Sequence, residues 1–425
     1  MKSANEYIKE IYSRLVNIYP GKPWCKSLEA KEKMGKNFLM KAGSAELRNI
    51  ITKGLVCFER NGYDGSTTIE KDYIEEAIYF ISQVIPYCES VKENGYGPSN
   101  IIKRLYGAFS NDDDMRAIRF EFMMVNYFLH KKCKIDFPDE CKGSETYDLL
   151  IHPPYGLSFE VECKSFSEDK GATITLDEGS TLIDAIINEH GKNLDFLSPG
   201  KLKSKIFSID ISIPFPTKNI DKKNLANNIF EMISDKEIKP CDEFSIDILE
   251  FNIDDNYLED TDKVELVSDK TDPLLAEVSK LNGGEAALIS HKCKDGGFIC
   301  FRVSSSLKDR FWKEVTNVAK KAIKDQLTGT RPAVVALQFT NESVERFSTI
   351  FSEDNNYNKI TSRYFKYKYI VNFIFAGEIL RNKVDNYPIK VDNYMIVPIR
   401  NEKSYYESGG IYLLLGGKLK GNSAL

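Results

Sequence analysis

Apolar residues recur at helical spacing through the first hundred positions of the chain. Tyr7-Ile8, Ile11-Tyr12, Leu15 and Ile18-Tyr19 form one stripe; Ile74, Ile78, Ile81 and Ile85 form another, which ends near Pro86. Pro20-Gly21-Lys22-Pro23 and Gly95-Tyr96-Gly97-Pro98 mark turns or linkers. A further helix is expected from Asn111-Asp112-Asp113-Asp114, whose side chains suit the amides and positive end of a helix start, to about Lys131. The period then shortens to two. Strands are expected over Cys133 to Phe137, Thr146 to Ile151 and Leu157 to Lys164, with Pro153-Pro154-Tyr155-Gly156 turning between the last two.

Farther on, Ile206 to Ile213 alternates like a strand and Leu225 to Ile233 has a helical stripe, while Asp254 to Asp272 has the acidity of a surface loop. Phe298 to Val303 is expected as a strand. Ser304-Ser305-Ser306 then caps a helix from Leu307 to Leu327, Gly329 stops it, and Pro332 to Phe339 forms an apolar strand. Tyr369 to Ala376 and Tyr394 to Ile399 are the last strands expected. The class is α/β: a mixed sheet flanked by helices. Residues 1–105 form a helical region, 106–345 a core with an insertion around 165–300, and 346–425 a β-rich extension packed on that core.

Composition narrows the picture little. The 425 residues are 42% hydrophobic and 28% charged, an ordinary globular mixture. A net charge of -5 excludes a uniformly cationic surface but leaves room for a local basic groove. Nine scattered cysteines include no CxxC pair, which argues against a zinc knuckle and for reduced thiols in a cytoplasm. No run of about 20 apolar residues occurs, so no membrane span is expected.

The candidate chemistry lies in the alternating strand. Phe159, Val161 and Cys163 point one way; Glu160, Glu162 and Lys164 point the other. Asp148, on the strand before the turn, comes close to Glu162 if the two strands pair. Two carboxylates suit a hard divalent cation, with the Cys163 carbonyl as a further oxygen ligand. Lys164 is placed to orient a water or offset developing charge. Glu121 falls beside the apolar stripe Ile118, Phe122, Val125 and Leu129, where an isolated carboxylate is costly. A metal, Arg119 or a lysine would offset it. Glu160 lies one pleat earlier, either near the metal, paired with a cation or solvated.

Here the chain resembles the PD-(D/E)xK, or restriction-endonuclease-like, nuclease superfamily. Glu121 on a helix, Asp148 on the second strand and Glu162-Cys163-Lys164 on the third match its order, although Tyr147 replaces the proline that precedes the aspartate. The resemblance implies a restriction-endonuclease-like core and a magnesium-dependent endonuclease acting on DNA, with manganese and RNA as the alternatives. Asp148, Glu162 and Cys163 would hold the metal, and Asp148, Glu162, Lys164 and Glu121 would form the catalytic set. It also implies a bacterial restriction or anti-phage role, as a homo-oligomer or with a defence-system partner protein. A non-cleaving binding or assembly protein on the same fold is the rival. Either Leu307 to Leu327 or Thr181 to Glu189 supplies the second core helix.

Two more patterns bear on nucleic acid. Lys313, Asn317, Lys320 or Lys321, and Lys324 share a helical stripe, which either tracks phosphates or is simply solvated. Arg363-Tyr364-Phe365-Lys366-Tyr367-Lys368-Tyr369 interleaves cations and aromatics; an edge strand with lysines facing water is the favoured reading, nucleic-acid contact the other. Gln326 and Gln338 are within the range of residues that could touch substrate. The four histidines have no ligand spacing.

Overall fold

A computed structural model describes residues 3–27, 49–94, 100–138, 146–167, 170–201, 203–235, 241–252, 287–293, 295, 297–308, 310–339, 356–383, 388–406, 411 and 414–415. The chain opens with helices α1 (Ala4–Ile18), α2 (Ile50–Asn61), α3 (Thr68–Asn94), α4 (Ile101–Ala108) and α5 (Asp112–His130), then strands β1 (Lys134–Asp136), β2 (Leu149–His152) and β3 (Phe159–Phe166). α6 (Leu176–Leu194), β4 (Lys203–Ile211), α7 (Asn219–Ser234), β5 (Phe244–Asn252), β6 (Ala287–Lys292) and β7 (Phe298–Ser305) follow. The last elements are α8 (Phe311–Lys321), β8 (Ala333–Phe339), α9 (Asn356–Tyr364), β9 (Ile370–Lys383) and β10 (Lys390–Arg400). Among the described residues no helix is long and apolar enough to cross a membrane.

The described residues fall into two compact units. One comprises those before 169 together with those from Trp312 onward; the other runs from 170 to Phe311. The boundary expected at 105 lies inside the first unit, and the one expected at 345 falls outside the described residues. Its hydrophobic core takes Ile8 and Leu15 from α1, Leu55 from α2, Phe122 from α5, Val161 from β3, Ile374 from β9, and Ile411 near the end of the chain. Each such side chain contributes roughly 1.5 to 3 kcal/mol by leaving water. Close helix packing is built in at Gly54 of α2. A Cβ there would lie 2.1 Å from the carbonyl oxygen of Tyr73 in α3, so only glycine lets the two backbones meet.

The first unit's sheet has the order β1-β2-β3-β8-β9-β10. β1, β2 and β3 pair antiparallel, β3 pairs parallel with β8, and β8 parallel with β9. α5 covers the face carrying Phe159, Val161 and Cys163, with Phe128 edge-on to Phe159. On the opposite face Phe166, Phe339 and Phe375 stack in sequence, and Trp312 of α8 lies against Phe339. The second unit has a separate sheet, β5-β4-β7-β6, whose Phe207, Ile209, Phe301 and Val303 pack with Leu182 and Ile186 of α6 and Ile229 of α7.

Asn111 caps α5 by accepting from the amides of Asp113 and Asp114. α3 does not stop near Pro86 but continues to Asn94. An internal proline removes one helical hydrogen bond and costs about 3 kcal/mol. Burial of Ile81, Val84, Ile85 and Cys88 on both sides of it offsets that loss. The helix expected from Leu307 begins only at Phe311, because the Ser305 hydroxyl accepts from the Leu307 amide and forms a turn first. It ends in a five-residue π-turn, Ala322–Gln326. The segment from Arg363 to Tyr369 is no edge strand: it is the end of α9 and the turn into β9, which is an interior strand. The acidic stretch from Asp254 to Asp272 lies outside the described residues.

Candidate active site

The β2–β3 register pairs Leu149 with Val161, and continuing it by one residue brings Asp148 to the level of Glu162. β2 proper begins after Asp148. In place of a backbone carbonyl, the Asp148 side chain accepts the Cys163 amide, 2.7 Å from Oδ2. One residue on, Lys164 forms an ion pair with Glu162. The trio of Asp148, Glu162 and Lys164 expected from the sequence is thus brought together.

Its electrostatics are tense. Glu162 is fully buried, and apart from the Lys164 ammonium paired with Oε1 its carboxylate has no side-chain partner among the described residues. Burial pushes the Glu162 carboxyl up to about 7 despite the pull of Lys164. Burial also raises the Asp148 carboxyl well above the usual range, and the negative charges of Glu162 and Glu121 raise it further. Burial alone would lower the Lys164 ammonium, but Glu162 and Asp148 hold its pKa above the ordinary value. The Cys163 thiol is pushed up, mainly by burial, and its side chain belongs to the core face with Phe159 and Val161.

Glu121 stands at the side of a cleft lined also by Asn100, Arg104, Phe122, Tyr147 and Asp148. Its partner is Arg104 of α4, 2.6 Å away. Arg119, the expected alternative, instead reaches Glu76 at 2.7 Å. Glu160 is tied down elsewhere. The Thr328 amide donates to it at 2.9 Å, the Thr328 hydroxyl also donates, and Arg331 lies 3.4 Å away. Arg331 donates to the Tyr147 hydroxyl as well, at 3.0 Å. Glu160 therefore anchors the loop before β8. His152 bridges Asp136 and Ser158, and Gln338 is buried in β8.

Arg104, Thr328 and Arg331 were not singled out from the sequence. Arg104 precedes the buried Leu105 on α4, a flank position that helical periodicity alone could have flagged. Thr328 and Arg331 carry no such signal; their partner is 168 residues away or more.

Among the described residues, no three His, Cys, Asp or Glu side chains converge closely enough to hold an ion by themselves. Two carboxylates do fit the chemistry of a hard cation that keeps several waters, and the unsatisfied Glu162 oxygens are what such an ion would relieve. No known protein family matches the chain, and no curated protein matches it either.

Proposed function

We propose that the chain is a metal-dependent phosphodiester hydrolase with a restriction-endonuclease-like core, acting on DNA. The observation that carries this reading is the meeting of Asp148, Glu162 and Lys164 around two buried carboxylates raised above their ordinary pKa. The order helix α5, antiparallel β1–β2–β3 and parallel β8 supports such a core. α8 rather than α6 fills the place of the second core helix, because α8 packs on β8 through Trp312 while α6 belongs to the other unit.

Asp148 and Glu162 are the residues that would hold magnesium or manganese, with the Cys163 carbonyl beside them. Such an ion supplies a water of lowered pKa and offsets charge on the phosphate. Lys164 holds its proton and presents a cation where negative charge accumulates on the phosphate. The Cys163 amide fixes the direction of the Asp148 carboxylate, and Arg104 holds the Glu121 side chain in place. By analogy with the superfamily the biological setting is restriction or anti-phage defence, with one active site per strand in a homo-oligomer.

Purified protein is incubated with plasmid, linear duplex, single strands and RNA, with Mg²⁺ or EDTA. Cleavage in Mg²⁺ that Asp148→Ala and Lys164→Ala both lose supports the reading; full activity in either variant refutes it. One observation favours a second reading, a binding protein that no longer cuts. Lys164 pairs with Glu162 and Arg104 with Glu121, so part of the site's negative charge is offset by the chain's own cations. That reading predicts nucleic-acid binding without turnover in the same experiment.

A further inference from the structure

The basic stripe of α8 and the basic-aromatic segment after α9 form one surface. Lys313, Asn317, Lys320 and Lys324 are all exposed along α8 and its π-turn. The Tyr364 hydroxyl donates to the Thr316 carbonyl at 2.6 Å, and the Tyr369 hydroxyl to the Ile323 carbonyl at 2.7 Å. Both carbonyls flank that stripe, so the turn carrying Arg363, Lys366 and Lys368 lies alongside it. The segment after β10 joins the same surface. The Tyr405 amide and the Ser404 hydroxyl both donate to the Lys368 carbonyl. In a chain of net charge -5, this concentration of cations is local. Only Glu314, Asp325 and Glu402 oppose it on these segments.

Tyr405 presents its ring to solvent, while Tyr367 is half-buried beside Tyr369 and Tyr364 packs on Phe373. Tyr405 is 78% exposed, and the Lys368 ammonium sits 5.1 Å from its ring centroid. Lys366 lies 5.4 Å from the ring centroid of Tyr367. An exposed tyrosine between lysines is the arrangement that stacks an unpaired base while cations follow its phosphates. A duplex hides its base faces and has no use for such rings. The surface also runs to the candidate active site. The Thr146 hydroxyl donates to the Gln326 carbonyl at 3.1 Å, two residues before Asp148, and the Tyr406 hydroxyl donates to the Thr330 carbonyl at 2.9 Å, beside Arg331.

We infer that α8, the 363–368 turn and the 402–406 segment hold single-stranded nucleic acid through base stacking on Tyr405 and Tyr367, leading an unpaired segment toward Asp148. As an account of substrate this rests on the hydrolase reading; as an account of binding it does not.

The test measures binding of the full chain to a fluorescent single-stranded oligonucleotide and to the matching duplex, in EDTA and at several salt concentrations. Wild type is expected to prefer the single strand. Tyr405→Ala should weaken that binding roughly tenfold, the loss of about one stacked base, and Tyr405→Phe should restore it. Lys366→Gln with Lys368→Gln should flatten the salt dependence by about 0.7 in the log–log slope for each phosphate no longer neutralised. All these side chains are solvent-facing, and circular dichroism checks that the variants remain folded. Equal binding of duplex and single strand, or unchanged binding in Tyr405→Ala, overturns the inference. Stacking-dependent binding without any cleavage in Mg²⁺ would retain it and refute the hydrolase reading. Cleavage unaffected by Tyr405→Ala and both lysine changes would do the reverse.

Discussion

Replacing Glu162 with glutamine should stabilise the metal-free protein, and only at neutral and alkaline pH. The carboxyl is fully buried and titrates near 7 where an exposed one titrates near 4.5. At about 1.4 kcal/mol for each pH unit, its charged form is disfavoured in the folded state by about 3 kcal/mol once the pH exceeds 7. That value already includes the attraction of Lys164, which is a quarter exposed and can turn to water when its partner is neutral. Because the folded pKa is raised, the folded state binds the proton more tightly. The associated stability is fully present below about 4.5 and is lost as the pH climbs to about 7. Glutamine has the same shape and no such titration. Urea unfolding in EDTA at intervals between pH 4.5 and 8.5 should therefore show the two proteins diverging, with Glu162→Gln ahead by up to about 3 kcal/mol at the upper end. Parallel curves would mean that Glu162 does not carry an unrelieved charge, and the electrostatic description of the site would be wrong.

Other expectations follow from the same geometry. Magnesium should raise the thermal midpoint of wild type above its EDTA value, while Asp148→Asn should show little or no such gain in differential scanning fluorimetry. Gly54→Ala should cost several kcal/mol in chemical denaturation, since its Cβ would meet the Tyr73 backbone and α2 and α3 must separate; a change under about 0.5 kcal/mol would contradict that close approach. Arg14 holds the Glu89 carboxyl below its usual range, so their ion pair between α1 and α3 acts above about pH 4.5 and fades in acid. Both side chains are about one-third exposed, so Glu89→Gln should lose no more than about 1 kcal/mol at pH 7 and progressively less as the pH falls below about 4.5. Glu160→Gln should leave metal-linked stabilisation intact while loosening the loop at Thr328, read by limited proteolysis.

The site was legible where its information is local. A period of two set which side chains of β3 share a face, and the short turn after β2 made the pairing with Asp148 foreseeable. The helix start at Asn111 was legible for the same reason: the cap acts on amides two and three residues away. What escaped depends on distant partners. Glu121 found Arg104 on another helix rather than its near neighbour Arg119, and Glu160 found Thr328 and Arg331 across the sheet. Pro86 misled because burial along α3 outweighs a local helix-breaking preference. The stretch from Arg363 to Tyr369 misled because alternation of cations and aromatics is satisfied equally by an edge strand and by a turn tied down through tyrosine hydroxyls.

The parallel pairing of β3 with β8 has a consequence for synthesis. β3 meets its neighbour only after the whole second unit has been translated, since Glu160 pairs with Ala333. Until then the strand carrying Glu162 and Lys164 leaves the ribosome with one edge open, and Glu160 still lacks Thr328 and Arg331. The inserted unit has its own sheet and core and can fold first. A nascent or truncated chain that ends before β8 leaves Glu160 without Thr328 and Arg331, so the edge of β3 beside the charged trio is completed only late in translation. Arrested chains of increasing length should become protease-resistant around residues 170–311 before the region of Asp148 does.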